Sequence, residues 1–331
     1  MNDRSDKSTC HPQLACGGGR SGRGPRGAAC LLQAGICLSF RWRYAPGILL
    51  ALAFTLSPVA RAQRAECRNA PSKILGHPVA YCAILPPSYD AGKTTRYPVL
   101  YLLHGLGGNA QQFIEGGGLD MLQDLWQQKK MGEYVVVTPS ADRTFYVNSL
   151  NGRVRYQDFF IREFLPYIET HYRIIRDRRH RGVSGISMGG YGALRFALLY
   201  PETFGSVSAH SAALVQNPPR AKLSGEQGMA ITQFLGSAFG APFDPAYWTR
   251  ESPFTIVRDH PRPHDLLIYF DCGTNDDFGF YRGAQAFHEL LLSRGIPHEF
   301  HLYPGGHDWA YFAQHLPASF EFHSRAFGLS K

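Results

Sequence analysis

The stretch His180-Arg-Gly-Val-Ser-Gly-Ile-Ser187-Met-Gly-Gly190, continued by Tyr191 to Tyr200 and stopped at Pro201, decides how this chain reads. His180 to Ile186 has the character of a strand that runs straight into Ser187, and the residues from Tyr191 have helical spacing. Gly185-Ile-Ser187-Met-Gly189 is a G-x-S-x-G pattern. At ordinary glycine and serine usage such a pattern arises by chance in roughly one chain in ten of this length, so its position carries more weight than its letters. A serine at a strand-to-helix junction sits on a sharp, strained turn with its hydroxyl clear of the sheet. Glycines two residues to either side let neighbouring backbone approach without a Cβ clash. An alcohol cannot attack a carbonyl unaided, so a base must lie within hydrogen-bond reach of Ser187.

Outward from that junction, short β-rich runs alternate with helical patterns. Tyr97 to Leu103 and Tyr134 to Val137 are nearly continuous apolar runs, as expected of strands buried on both faces. Ile74 to Leu85 reads as a strand or hairpin, Gly205 to His210 and His298 to Tyr303 as strands, and Asp265 to Asp271 as a strand centred on Leu266 to Phe270. Leu119 to Lys130, Asp158 to Tyr172, Tyr281 to Arg294 and Ala310 to Phe327 read as helices. Strands alternating with helices imply βαβ units, hence an α/β fold with a mostly parallel central sheet and helices on both faces. The alternation runs unbroken from about residue 74 to 327, which predicts one domain over 63–331. Only 214–263 breaks the rhythm, being long and proline-rich. It is expected either to roof the carboxyl end of the sheet as a small cap, with Tyr247 and Trp248 as substrate-pocket residues, or to be a plain surface excursion.

The formal charge of +8 is unevenly spread. Residues 1–62 hold eight Lys/Arg and two Asp/Glu, leaving 26 against 24 for the rest. A nearly neutral body argues against nucleic acid as a partner. The leader itself is instructive: Arg41-Trp-Arg43 precedes the apolar run Gly47 to Leu56, followed by Ala60-Arg-Ala62. A positive flank, a short apolar stretch and an A-x-A site predict a secretory signal peptide cleaved after Ala62, and a secreted or periplasmic product. The run is too short for a stable membrane span, although an uncleaved anchor is the rival reading. Residues 1–40 lack apolar periodicity until Cys30, so translation is expected to start near residue 38, with the first stretch a misassigned start. Four of the seven cysteines lie in this leader. In an oxidising compartment Cys67 and Cys82 are expected to pair, leaving Cys272 buried and free. No zinc spacing is present, and no cofactor is implied.

Among 14 histidines, His307 is the one on the loop directly after the last strand, in Pro304-Gly-Gly-His307-Asp. A late histidine there fits the chain order nucleophile, acid, base. His210, at the end of the strand after the elbow helix, is the rival. The acid belongs after the strand containing Leu266 to Phe270, where Asp271, Asp276 and Asp277 are available; its task is to hold the imidazole by Nδ1–H. Asp271 lies within the strand, its direction set by the pleat, whereas Asp277 leads into a helix that it could cap. Two backbone N–H donors for an oxyanion are expected at Met188 and Leu106, the latter in His104-Gly-Leu-Gly-Gly108. That glycine run matches neither a phosphate-binding G-x-x-x-x-G-K-[ST] nor G-x-G-x-x-G.

With these residues in place, the chain resembles the esterase branch of the α/β-hydrolases that includes feruloyl esterases, S-formylglutathione hydrolase (esterase D), enterochelin esterases and mycolyltransferases. The resemblance rests on Leu102-Leu-His104-Gly-Leu-Gly-Gly108, Phe113-Ile-Glu-Gly-Gly-Gly118, Gly185-Ile-Ser-Met-Gly-Gly190, Cys272-Gly-Thr-Asn-Asp276 and Gly305-Gly-His307-Asp, in that order over about residues 66 to 327. It implies an α/β-hydrolase fold with Ser187 as nucleophile, Asp276 as acid, His307 as base, and Leu106 with Met188 as oxyanion donors. The expected activity is hydrolysis of a small-molecule or polysaccharide-linked carboxylic ester, feruloyl- or acetyl-esterase-like. The alternatives are acyl transfer to a sugar alcohol, as in the mycolyltransferases, and a non-catalytic binding protein on the same fold.

Overall fold

A computed structural model describes residues 64–218, 234–260 and 265–329. Its strands are β1 (Arg64–Ala70), β2 (Val79–Leu85), β3 (Val99–Leu103), β4 (Val135–Pro139), β5 (Arg181–Ile186), β6 (Ser206–His210), β7 (Leu267–Gly273) and β8 (Glu299–Tyr303). They form one sheet in the order β1-β2-β4-β3-β5-β6-β7-β8. β2 pairs antiparallel with β1 and β4, and the six strands from β4 to β8 are mutually parallel. The helices are α1 (Gln112–Glu115), α2 (Gly118–Gln127), α3 (Tyr156–Phe159), α4 (Leu165–His171), α5 (Met188–Leu199), α6 (234–239), α7 (Pro245–Glu251), α8 (Pro253–Asp259), α9 (Phe280–Ser293) and α10 (Trp309–Ala326). A π-helical turn, Phe160–Phe164, joins α3 to α4. This is the α/β-hydrolase architecture.

The period-two alternation of a strand divides the core into two layers. Leu100 and Leu102 point to the face covered by Leu122 and Leu125 of α2 and Leu316 and Phe320 of α10. Tyr101 and Leu103 point to the opposite face, with Phe160, Leu194 and Phe196, and with Phe287 and Leu291 of α9. Helices on both faces are the reason every position of β3 and β4 is buried.

The first hairpin starts earlier and its second strand later than the sequence pattern suggests. Ile74 and Leu75 lie in the connection between β1 and β2, where Gly76 takes φ +75° and Pro78 removes a ladder donor. The Ile74 N–H is instead satisfied by the Glu163 carboxylate. Cys67 stands opposite Cys82 in this hairpin, and the two are joined by a disulfide; Cys272 is buried and free.

β6 carries an unusual inner face. Val207 and Ala209 join the α5 layer, while Ser206, Ser208 and His210 turn toward α10 and are fully buried. The two ring nitrogens of His323 reach Ser206 Oγ (2.8 Å) and Ser208 Oγ (2.9 Å), and Ser208 Oγ–H donates to Ser184 Oγ (2.7 Å). One step along, His210 Nε2 meets Ser319 Oγ at 2.8 Å. A polar strand face that would ordinarily be wet is thus dry and hydrogen-bonded to one helix.

Of the excursion, 234–260 contains α6, α7 and α8. It is tied to α5 by the buried Arg195–Glu251 ion pair and by the Tyr191 hydroxyl, which donates to the Glu251 carbonyl (2.7 Å). The leader, with its expected cleavage site, and residues 219–233 and 261–264 of the excursion lie outside the described residues. No helix among the described residues is long and apolar enough to cross a membrane.

Candidate active site

Ser187 directly follows β5 and stands at the N-cap of α5, with φ 55° and ψ −113°. A positive φ is strained for a residue with a Cβ, by roughly 1–3 kcal/mol. The neighbouring glycines explain how the turn is tolerated. A Cβ on Gly185 would stand 2.2 Å from the Gly189 carbonyl group, and one on Gly189 would stand 2.1 Å from the Leu103 carbonyl oxygen. The turn is also pinned sideways, because the Ser187 N–H donates to the His210 carbonyl (2.9 Å) on the adjacent strand.

His307, on the loop after β8, brings Nε2 to 2.9 Å from Ser187 Oγ and Nδ1 to 2.7 Å from Asp276 Oδ2. An ionised carboxylate only accepts, so Nδ1 carries the proton, and the neutral ring offers Nε2 to the serine hydroxyl. Asp276 lies in a tight turn, three residues past the end of β7, its side chain buried while the imidazole is slightly exposed. Its other oxygen, Oδ1, accepts the N–H groups of Phe278 (2.9 Å) and Phe280 (3.4 Å). The Cys272 thiol approaches Oδ2 at 3.7 Å, and burial pushes that thiol up to about 12. The structure therefore brings together Ser187, His307 and Asp276.

The other candidates lie elsewhere. Asp271 sits inside β7 and turns into the interior, where Tyr311 donates to its Oδ1 (2.7 Å) and His210 Nδ1 lies 2.7 Å from Oδ2, off the hydrogen-bond axis. His210 is fully buried with it, so this second His–Asp pair has no access to substrate. Asp277 is exposed, and the helix-capping task expected of it falls to Asp276 Oδ1, because Gly279 rather than Asp277 holds the N-cap position of α9. Tyr247 and Trp248 are only 7% and 5% exposed, and the Tyr247 hydroxyl donates to the Asn148 carbonyl. They pack the base of the excursion instead of opening onto a pocket.

Met188 is the first residue of α5, so its N–H has no intrahelical acceptor and lies beside the serine. Leu106 lies on the loop after β3, which presses against the same turn: a Cβ on Gly105 would sit 3.5 Å from Ser187 Cβ. The loop is fixed by His104, whose Nε2 accepts the Ala141 N–H (2.8 Å) and whose carbonyl accepts the Tyr146 hydroxyl (3.0 Å). Burial lowers the His104 pKa, which keeps the ring neutral and able to accept. Gly107 and Gly108 of this loop wall a cavity of about 480 Å³, closed on other sides by Asp142, Arg143 and, from α6, Ser237 and Ala238. Among the described residues no three His, Cys, Asp or Glu side chains group to hold a metal ion.

Sequence reasoning passed over the rings around His307. Phe278, Phe280 and Phe312 stand edge-on to the imidazole at 4.8, 5.5 and 5.4 Å. The available signal was the pair of phenylalanines in Asp276-Asp-Phe-Gly-Phe280, directly after the carboxylate that meets His307.

The family model described as "Putative esterase" matches residues 72–323. An esterase of Mycobacterium tuberculosis (strain H37Rv) is 31% identical over 249 residues, covering 68% of this chain and 51% of its own length. The chain thus spans about half the length of that relative. An acetyl esterase of Caldicellulosiruptor saccharolyticus is 26% identical over 267 residues, covering 77% of this chain and 96% of its own. Among solved structures, a ferulic acid esterase aligns with TM-score 0.68 and 28% identity over 80% of this chain and 99% of its own. On fold, motif order and this match, the chain belongs to the "Putative esterase" family of α/β-hydrolases.

Proposed function

We propose that this protein is an exported serine carboxylic-ester hydrolase that acts through an acyl-enzyme, with Ser187 as nucleophile, His307 as general base and Asp276 as the orienting acid. One observation carries the reading: a buried carboxylate, an imidazole and a strained serine hydroxyl in line at 2.7 and 2.9 Å. His307 takes the Ser187 proton as Oγ attacks the ester carbonyl, and the imidazolium so formed is stabilised by Asp276. The oxyanion forms where the Met188 and Leu106 N–H groups converge, a site in which two fixed donors contribute several kcal/mol. His307 protonates the departing alcohol. Water, deprotonated by the same histidine, then releases the acid.

Likeness to an acetyl esterase and to a ferulic acid esterase supports small acyl or hydroxycinnamoyl esters as substrates. The apolar run and Ala60-Arg-Ala62 support export. The cavity beside Gly107 and Gly108, roofed in part by α6, supports the cap role of the excursion. The test is a panel of 4-nitrophenyl esters from acetyl to palmitoyl plus methyl ferulate, assayed with and without a sugar acceptor. Hydrolysis to free acid is expected, and formation of a new sugar ester would mark an acyltransferase. Absence of turnover on every ester would overturn the catalytic reading.

A further inference from the structure

Asp276 mounts two aromatic rings as well as the imidazole. Its Oδ1 holds the backbone N–H groups of Phe278 and Phe280, and Gly279 between them takes φ 71°. The two rings stack, with centroids 5.4 Å apart and planes inclined by 15°. Phe312, on the third side of His307, is buried, and Phe280 packs against the core. Phe278 is 67% exposed, the most exposed large apolar side chain among the described residues. A phenyl ring held in water beside reacting atoms is unfavourable unless a ligand covers it.

We propose that Phe278 is the platform for the alcohol half of the ester, and that it selects substrates whose alcohol presents a flat apolar face, an aryl ring or the C–H face of a sugar. The inference rests on the triad assignment above. In acylation the Ser187 Oγ–C bond forms as the proton passes to His307 Nε2. The C–O bond to the alcohol then breaks, and that proton moves from Nε2 to the alcohol oxygen. The leaving oxygen must therefore come within about 3 Å of Nε2. The group it carries extends beside the imidazole, whose ring centroid lies 4.8 Å from that of Phe278. The acyl carbonyl oxygen points instead to the Met188 and Leu106 amides. Phe278 thus specifies the alcohol and plays no part once the alcohol has left.

The experiment compares wild type, Phe278→Ala and Phe278→Tyr on three acetates with one acyl group: 4-nitrophenyl acetate, an acetylated xyloside and ethyl acetate. All three give the same acetyl-enzyme, whose deacylation no longer contains the alcohol. Phe278→Ala should lower kcat/KM about five- to tenfold on the aryl acetate, the sugar acetate or both. On ethyl acetate the change should be less than twofold, deacylation should keep its rate, and Phe278→Tyr should restore the loss. The affected ester identifies which ring is preferred. Equal losses on all three esters, slowed deacylation, or no loss on either ring ester would overturn the proposal. If the wild type turns over none of the acetates, the same three alcohols are compared as esters of the acyl group it does accept; turnover of no ester in the panel above would instead defeat the esterase reading itself.

Discussion

The Ser187 N–H donates to the carbonyl of His210 at 2.9 Å, so the strained turn at Ser187 is fastened to the end of the neighbouring strand. The His210 ring faces the other way, toward Asp271 and Ser319 of α10. The molecule therefore contains two His–Asp pairs, one buried beside α10 and one beside Ser187, to which we assign opposite duties, structural and catalytic.

Asparagine substitutions should separate them. Asp276→Asn is expected to lower kcat on an activated ester at least a hundredfold, because an amide can hold the wrong imidazole tautomer. It should leave stability nearly unchanged, since an amide oxygen can still accept from Phe278 N–H. Asp271→Asn should do the reverse, keeping most of the turnover while losing on the order of 2 kcal/mol of stability, because the amide puts an N–H2 group without a partner into this dry interior. Asp277→Asn, on an exposed side chain, should change neither. Parallel kcat measurements and urea titrations of the three variants check this, and a large loss of kcat in Asp277→Asn would mean the acid is misassigned.

How much of this was legible in the sequence depended on whether a signal was local. The elbow at Gly185 to Gly189 could be read because sterics at one turn demand both glycines. The buried runs of β3 and β4 could be read because both faces are covered. Position in the fold separated Asp271 from Asp276, since a side chain inside a strand is aimed by the pleat. What stayed hidden was long-range. Ser206-Val-Ser-Ala-His210 has the alternation of a half-solvated strand, and nothing local tells that Ser319 and His323, more than 100 residues on, close that face. Tyr247 and Trp248 look like pocket residues until Asn148 and the Phe239 cluster bury them.

The buried His323 makes stability fall with acid. Burial lowers its pKa from 6.5 to about 3 in the folded protein, so below pH 6.5 the unfolded chain binds a proton that the native state refuses. Its contribution is full above pH 6.5 and is lost progressively as pH falls toward 3. Between pH 7 and pH 5 the loss from this one group is about 2 kcal/mol. Depressed values at His298 and His315 add in the same direction. Urea unfolding at both pH values should show a markedly shallower pH dependence in His323→Gln than in wild type; equal slopes would count against a neutral buried ring.

Thiol counting tests the hairpin staple. A chain cleaved after Ala62, as proposed, begins at Gln63 and retains three cysteines, of which Cys67 and Cys82 are joined across a separation of 15 residues. Under denaturing, non-reducing conditions one thiol should react, and three after reduction. Reduction should cost about 3 kcal/mol of stability in the chain-entropy model. Three reactive thiols before reduction would refute the pairing.

Gly189→Ala probes the elbow by sterics alone. The added methyl meets the Leu103 carbonyl oxygen at 2.1 Å, a backbone atom that cannot swing aside. The variant should fold poorly or lose more than a hundredfold in kcat/KM, because the turn must open and Ser187 Oγ leave the reach of His307. Wild-type turnover in this variant would show that the turn is less tightly packed than described.

The central claim, that Ser187 is the nucleophile, is tested most directly by peptide mass spectrometry after reaction with a fluorophosphonate. The account predicts a single stoichiometric adduct on Ser187, no adduct in Ser187→Ala, and loss of turnover in step with labelling. Labelling of a different residue with the same loss of activity, or full turnover by Ser187→Ala, would contradict it.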